Sequence, residues 1–114
     1  MSLMETIRWQ WQGYAKYHQD KGNLLIHIFA VAVFWLGAAA LIFGIVRLSL
    51  LSVLLAFLAL FGSLVFQSIG HKREANPPVP FTSKIDFIKR FLCEQFITFP
   101  RFVLTGGWFR SFGK

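Results

Sequence analysis

The sequence predicts an all-α integral membrane protein: a two-span transmembrane helical hairpin flanked by N- and C-terminal amphipathic interfacial helices. Hydrophobic residues make up 55% of the 114-residue chain, which is more apolar surface than one small soluble domain can bury. Two runs, 24–46 and 48–70, contain no Asp, Glu, Lys or Arg. Each is about as long as the roughly 20 residues that a helix needs to cross a bilayer. The alternatives are a buried hairpin in a soluble protein, or a cleaved signal peptide, which the immediate second run disfavours.

The charge distribution predicts how this hairpin is oriented. The formal net charge is +7, and only Arg47 lies in the turn between the two runs. The other basic residues lie before the first run or after the second, so the positive-inside rule predicts that both termini are cytoplasmic. The membrane would be the bacterial inner membrane, or the endoplasmic reticulum in a eukaryote. Basic residues at the edges of apolar runs fit anionic lipid headgroups and argue against nucleic acid as a partner.

The segments outside the two runs predict interfacial helices. Residues 1–21 form an amphipathic pattern in which one face carries residues spaced three and four apart, namely Met4, Ile7, Trp11, Tyr14 and His18. A proline-rich turn follows the second run at 76–82. Residues 84–105 are apolar but interrupted by charges, which predicts an interfacial helix with an end or kink near Pro100 rather than a third span. Residues 106–114 are predicted to be a flexible aromatic and basic tail.

The three histidines of the chain are predicted to meet at one membrane depth. His18 ends the first amphipathic face, His27 lies about one turn inside the first span, and His71 ends the second span, with Glu74 three residues later. The start of one span and the end of the next share a depth in a hairpin, so all four side chains would lie in one layer. Ionisable groups within a membrane are energetically unfavourable and indicate a functional site.

A helix break between His18 and His27 is needed for this arrangement. In an unbroken helix nine residues would turn the two rings roughly to opposite sides. Gly22 is expected to end the first helix in a left-handed conformation, and Asn23 is expected to cap the next one. Histidines with a carboxylate are ligands for iron, zinc and similar metals, so these residues predict metal chemistry at a membrane interface, with a lipid as the substrate.

The spacing of these residues resembles that of a known family. Residues Tyr14, His18, Asn23 and His27 form Y-x3-H-x4-N-x3-H, and the second span ends in Q-S-I-G-H followed by E-x-N-x-P, from Gln67 to Pro78. Together the two motifs resemble the small membrane family of 2-hydroxy fatty acid dioxygenases over about residues 10 to 81. The distance from His71 to Glu74 is one residue shorter than in those relatives, but both spacings keep the pair on one helical face.

The resemblance implies an Fe(II)-dependent dioxygenase that consumes O2 and shortens 2-hydroxy fatty acids by one carbon. It implies His18, His27 and His71 as metal ligands, Glu74 as a fourth ligand or catalytic base, and Tyr14 as a catalytic group. Asn23 and Gln67 are expected to orient the metal ligands. The carboxylate of the substrate is expected to be attracted by Lys72, Arg73 or Arg101. The partners would be membrane lipid, the hydroxy acid and O2, and the sequence leaves a homo-oligomer open.

Two rival functions remain open at this stage. The same site can hold zinc and hydrolyse a lipid, since imidazole and carboxylate ligands also suit that metal. Alternatively, the chain is a non-catalytic membrane protein that binds anionic lipids or a partner through its basic aromatic tail. The first rival predicts activity without O2, and the second predicts no bound metal.

Overall fold

A computed structural model describes all 114 residues and shows an entirely helical chain. The helices are α1 (Leu3–Gly13), α2 (Lys21–Val46), α3 (Leu50–His71), α4 (Lys84–Cys93), α5 (Phe99–Leu104) and α6 (Gly107–Phe112). A 3₁₀ turn, Tyr14–Tyr17, follows α1, and a π-helical turn, Glu94–Thr98, joins α4 to α5. The all-helical prediction is confirmed.

Helices α2 and α3 form the predicted antiparallel hairpin, and both are long and apolar enough to cross a membrane. Their outer faces expose large apolar side chains such as Leu36 (70%) and Leu58 (69%), unlike the buried core helices of a soluble protein. Their inner faces pack closely: the hydroxyl of Ser63 donates to the carbonyl oxygen of Ala30 at 2.6 Å, and that of Ser52 to Ala40 at 2.9 Å. Such hydroxyl bonds between helices are typical of apolar surroundings.

The hairpin turn is longer than predicted, because α2 ends at Val46 and α3 begins only at Leu50. The amide of Ser49 donates to the carbonyl of Gly44, and the amide of Leu48 to that of Ile45. This is the Schellman pattern of helix ends, with Leu48 in the left-handed position (φ 53°) that glycine usually takes. Leu48 is 92% exposed, so its side chain meets no obstacle there.

The terminal segments cover one end of the hairpin. Helix α1 lies against α4, and the α4–α5 segment packs on the first half of α2, where Phe34 contacts both Phe91 and Phe96 edge to face. The predicted helix over 84–105 is therefore present but irregular, with the π turn one turn before Pro100.

The tail predicted to be flexible is instead a short helix, α6. Its Trp108 is buried, stacks on Phe112 and donates its indole N–H to the carbonyl oxygen of Leu24 at 2.9 Å. Gly106 makes the turn before α6 with φ 83°, a conformation that favours glycine. The tail is ordered because its aromatic residues have an apolar surface to bury, a contact with α2 that the sequence alone does not reveal.

Candidate metal centre

The three histidines converge as the hairpin predicted. The ring centroids of His27 and His71 are 4.7 Å apart, and the ring centroid of His18 lies 5.0 Å from each of them. Helix α2 supplies His27, the end of α3 supplies His71, and the segment after the 3₁₀ turn supplies His18. His18 is 3% exposed and His27 is fully buried.

The break that brings His18 inward lies earlier than predicted. Gly22 is an ordinary residue in the first turn of α2, and the chain turns at His18 (φ −134°, ψ 66°) instead. The cap of α2 is Asp20, whose carboxylate accepts from the backbone amide of Asn23 at 2.9 Å. The expectation of a Gly22–Asn23 corner was therefore wrong, because Asp20, three residues before Asn23, takes the cap position instead.

Glu74 holds this corner and does not belong to the histidine group. Its carboxylate accepts from the backbone amides of Gln19 at 2.9 Å and Asp20 at 3.0 Å, and from the side-chain amide of Asn23 at 2.6 Å. These bonds tie the end of α3 to the start of α2. A Cβ at Gly70 would collide with the Asn23 side chain, so only glycine allows this close approach.

The carboxylate beside the histidines is that of Glu94, which the sequence-based prediction missed. One ligand atom from each of His18, His27, His71 and Glu94 can be chosen so that all lie within 4.8 Å of one another. Oε2 of Glu94 is 3.3 Å from Nε2 of His18 and 3.6 Å from Nε2 of His27. The sequence does contain a signal for it, because Glu94 is a carboxylate inside the apolar stretch FLCEQF, but the same charge also argues against a third span.

The protonation pattern of His18 fits a cation at the centre of this group. Its Nδ1 lies 2.8 Å from the carbonyl oxygen of Tyr14, which can only accept, so Nδ1 carries the proton. Nε2 then presents a lone pair towards the Glu94 carboxylate, and two acceptors face each other. This contact is favourable only with a proton or a metal ion between them, and a backbone carbonyl on the far nitrogen is the usual partner of a metal-binding histidine.

Buried nitrogen atoms without partners support the same conclusion. Nε2 of His18, both ring nitrogens of His27 and Nδ1 of His71 are buried and lack any ordinary hydrogen-bond partner. Buried polar atoms are normally satisfied, and several unsatisfied ones on neighbouring rings indicate a ligand that binds between them. The donor set of three imidazoles and one carboxylate fits a transition metal such as iron or zinc.

Tyr14 connects the carboxylate to the histidines. Its hydroxyl donates to Oε2 of Glu94 at 2.7 Å, and its ring stacks on His18 with centroids 3.8 Å apart. Burial, together with the neighbouring Glu94 carboxylate, raises the pKa of the Tyr14 phenol well above its ordinary value, so it remains a donor. Burial alone would raise the pKa of Glu94, but the neighbouring His18 and His27 rings hold it well below its usual range, so the carboxyl is ionised.

The π turn fixes Glu94 in place. In this turn the amide of Phe99 donates to the carbonyl of Glu94, and Pro100 has no N–H to offer the carbonyl of Gln95. The indole N–H of Trp35 on α2 donates to that Gln95 carbonyl instead, at 2.8 Å. The side-chain amides of Gln95 and Gln67 exchange two hydrogen bonds, of 2.8 and 2.9 Å, which tie the turn to α3. Helical π turns occur frequently at functional sites.

The three basic side chains predicted to attract the substrate carboxylate have different surroundings. Lys72 lines a cavity of about 680 Å³ that also contacts His18, His71 and Glu94. Arg73 forms an ion pair with Asp20 at 2.9 Å, and the Arg101 guanidinium lies over the Trp11 ring, 4.0 Å from its centroid. Arg73 and Arg101 therefore have partners of their own and do not line the cavity.

Fold and site together define a helical protein with two helices of membrane-spanning length and a candidate metal centre of three histidines and one glutamate. The family model described as 2-hydroxy-palmitic acid dioxygenase Mpo1-like matches residues 4–101, and the chain belongs to this Mpo1-like family. That membership confirms the resemblance seen in the sequence. No curated protein and no solved structure matches the chain significantly.

Proposed function

We propose that this protein is a membrane-embedded, Fe(II)-dependent dioxygenase that shortens 2-hydroxy fatty acids by one carbon. The observation that carries the proposal is the group of His18, His27, His71 and Glu94, in which buried histidine nitrogens lack hydrogen-bond partners and of which all but His27 line a cavity. The name of the family supplies the reaction class. The reaction balances without another reductant: the 2-hydroxy acid and one O2 give the shorter acid, CO2 and water.

The number of protein side chains that could bind the metal favours iron over zinc. Four protein ligands would complete the tetrahedral shell of zinc and leave no position for a substrate, as in structural zinc sites. A metal with six positions keeps two of them open beside the same four donors, in the manner of non-haem iron oxygenases. Bound iron would supply the redox chemistry with O2 that amino-acid side chains lack.

The protein's own residues would orient the donors and the substrate. The Tyr14 carbonyl fixes the proton of His18 on Nδ1, which leaves Nε2 free to bind, and the Tyr14 hydroxyl holds one oxygen of Glu94. Lys72 lies at the cavity beside His71, where its ammonium group can attract the carboxylate of the acid. Glu74 acts through the His18 corner as a positioning residue, so the proposed role of direct ligand passes to Glu94.

The decisive experiment supplies purified protein with Fe(II), O2 and 2-hydroxypalmitate and follows the acid one carbon shorter by mass spectrometry. We expect product with the wild type, loss of about 100-fold or more with His27→Ala, and little change with Phe29→Ala, whose side chain on the outer face of α2 is 71% exposed. Equal yields from wild type and His27→Ala would refute the site. Activity that persists anaerobically with stoichiometric zinc would favour lipid hydrolysis, and absence of bound metal would favour a non-catalytic role.

The membrane orientation is a separate part of the proposal. The apolar outer faces of α2 and α3 support insertion, and the distribution of basic residues supports cytoplasmic termini. A cysteine at Leu48, in the hairpin turn, should react in intact cells with a thiol reagent that cannot cross membranes, in a Cys93→Ala background. A cysteine at Lys114 should react only after the cells are opened. The reverse pattern would contradict the orientation.

A further inference from the structure

The cavity beside the candidate metal centre has a defined polarity along its length. On α3 the lining residues are spaced as one helical face, and in order from the end of the helix they are Lys72, His71, Ser68, Gln67 and Leu64. From His71 to Leu64 is seven residues, or roughly 10 Å along the axis. The lining therefore changes from cationic, through metal-binding and polar, to apolar with increasing distance into the apolar helix.

The facing wall has the same order. Helix α4 and the π turn contribute Glu94, then Phe91, Arg90 and Phe87, again at spacings of one helical face. The rings of Phe87 and Phe91 stack on each other with centroids 5.7 Å apart. Along both walls the apolar side chains of Leu64, Phe87 and Phe91 therefore follow the candidate metal ligands, and Arg90 is the charged side chain among those of α4.

Of the three basic side chains that line the cavity, one is hydrogen-bonded within the protein and two are not. Arg90 is buried, and its guanidinium donates to the carbonyl oxygens of Val79 and Pro80 and to Asp86, so its hydrogen bonds are used within the protein. The ammonium groups of Lys16 and Lys72 form no ion pair and no hydrogen bond, although that of Lys16 lies over the Tyr17 ring, 5.5 Å from its centroid; both side chains are exposed at the mouth. An anionic head group would therefore be attracted at the mouth and not at the apolar end.

We infer that the acyl chain of the substrate lies between α3 and α4, from the histidine group towards Leu64, and that Leu64 with Phe87 and Phe91 sets the accepted chain length. The inference deepens the proposed function and rests on it for the identity of the head group. The order of groups along the cavity matches a 2-hydroxy fatty acid from its carboxylate and hydroxyl to its methyl end. Ser68 is exposed as well as lining, so the cavity is open along α3 towards the surface that would meet lipid.

The size of the cavity is consistent with such an occupant. Its volume of about 680 Å³ lies within the roughly 300–1,000 Å³ usual for small-molecule sites. Burial of each methylene group is favourable by an amount that corresponds to about fourfold in binding, so a few contacts at the apolar end are enough to select chain length.

A bulky side chain at the apolar end provides the first test. Leu64→Trp should lower kcat/KM for 2-hydroxypalmitate roughly tenfold relative to 2-hydroxyoctanoate, because the space for the distal carbons is filled. The matched control is Val65→Trp, one position along α3, where the side chain points away from the cavity and is 40% exposed. An unchanged preference in Leu64→Trp, or the same shift in Val65→Trp, would overturn the inference.

Photolabelling tests the inference without turnover. A 2-hydroxy fatty acid with a diazirine near its methyl end is bound to the protein in detergent, irradiated and mapped by mass spectrometry. Labels on Leu64, Phe87 or Phe91 support the proposed path even if no product forms, in which case only the proposed reaction fails. Labels on Trp9 or Tyr17, which line the cavity on the other side, would place the chain elsewhere and overturn it.

Discussion

Two carboxylates, those of Glu74 and Glu94, lie near the histidines and have different hydrogen-bond partners. Glu74 accepts only from nitrogen donors of the corner between the 3₁₀ turn and α2, at 2.6 to 3.2 Å. Glu94 faces two imidazole nitrogens and one phenol, at 2.7 to 3.6 Å. The first carboxylate is fully satisfied by the protein and stabilises the fold, whereas the second also faces imidazole nitrogens that have no hydrogen-bond partner. The difference shows that the partners of a buried acid, and not its distance in sequence from a histidine, indicate its role.

Removal of the Glu94 carboxylate should have the largest effect. Glu94→Gln keeps the size of the side chain but replaces the charged carboxylate ligand by a neutral amide. We therefore expect iron affinity and kcat/KM to fall by about 100-fold or more. Metal content after dialysis and product formation measure the two effects. Retention of stoichiometric iron and of activity would show that Glu94 is not a ligand.

Loss of the phenol that holds Glu94 should have a smaller effect on the same region. Tyr14→Phe removes the 2.7 Å bond to Glu94 but keeps the ring stacked on His18, so we expect a loss of about tenfold in iron affinity or kcat. Titration with Fe(II) and steady-state kinetics separate these quantities. A thermal midpoint close to that of the wild type would show that the loss is not caused by unfolding.

Glu74→Gln should affect stability more than chemistry. The amide retains one acceptor oxygen but presents an N–H₂ group to backbone donors, so we expect the free energy of unfolding to fall by about 2–3 kcal/mol. Iron stoichiometry should persist, with an affinity reduced by less than tenfold because His18 is held less firmly. Thermal melting in detergent and metal analysis provide the measurements. Complete loss of iron in a folded Glu74→Gln variant would restore the sequence-based assignment of Glu74 as a ligand.

Asp20→Asn should have the smallest effect. Asparagine still caps α2, so only the ion pair with Arg73, whose side chain is 56% exposed, is lost, at a cost of about 1 kcal/mol or less. Hydrogen bonds from the Asn23 backbone and from Arg73 lower the pKa of Asp20. That stabilisation is complete above the pKa of the unfolded carboxyl, about 4, and is lost as the pH falls through the lower folded value. Melting curves of Asp20→Asn should therefore show a smaller acid-induced loss than those of the wild type.

The fold was predictable because its signals are local. Two charge-free runs define the hairpin, and its topology alone places His27 beside His71. The motif spacing also identified the family. The corner at His18, the helix at Trp108 and the choice of Glu94 over Glu74 were not predictable in this way. The last two depend on contacts between segments distant in sequence, such as the Tyr14 bond to Glu94 across 80 residues, for which a single sequence carries no periodic pattern. The corner depends on which of two nearby residues, Asp20 or Asn23, caps α2.

The π turn also has a consequence for the length of the chain. A π turn holds one residue more than an α turn, so it is equivalent to a single-residue insertion in the helix that runs from Lys84 to Leu104. A deletion within 94–98 would restore a regular helix and rotate one side of it by about 100° relative to the other. Either Glu94 would leave the histidines, or Phe99 and Phe102 would leave the core. The length of this stretch is therefore fixed by two requirements at once, the position of Glu94 and the packing of Phe99 and Phe102.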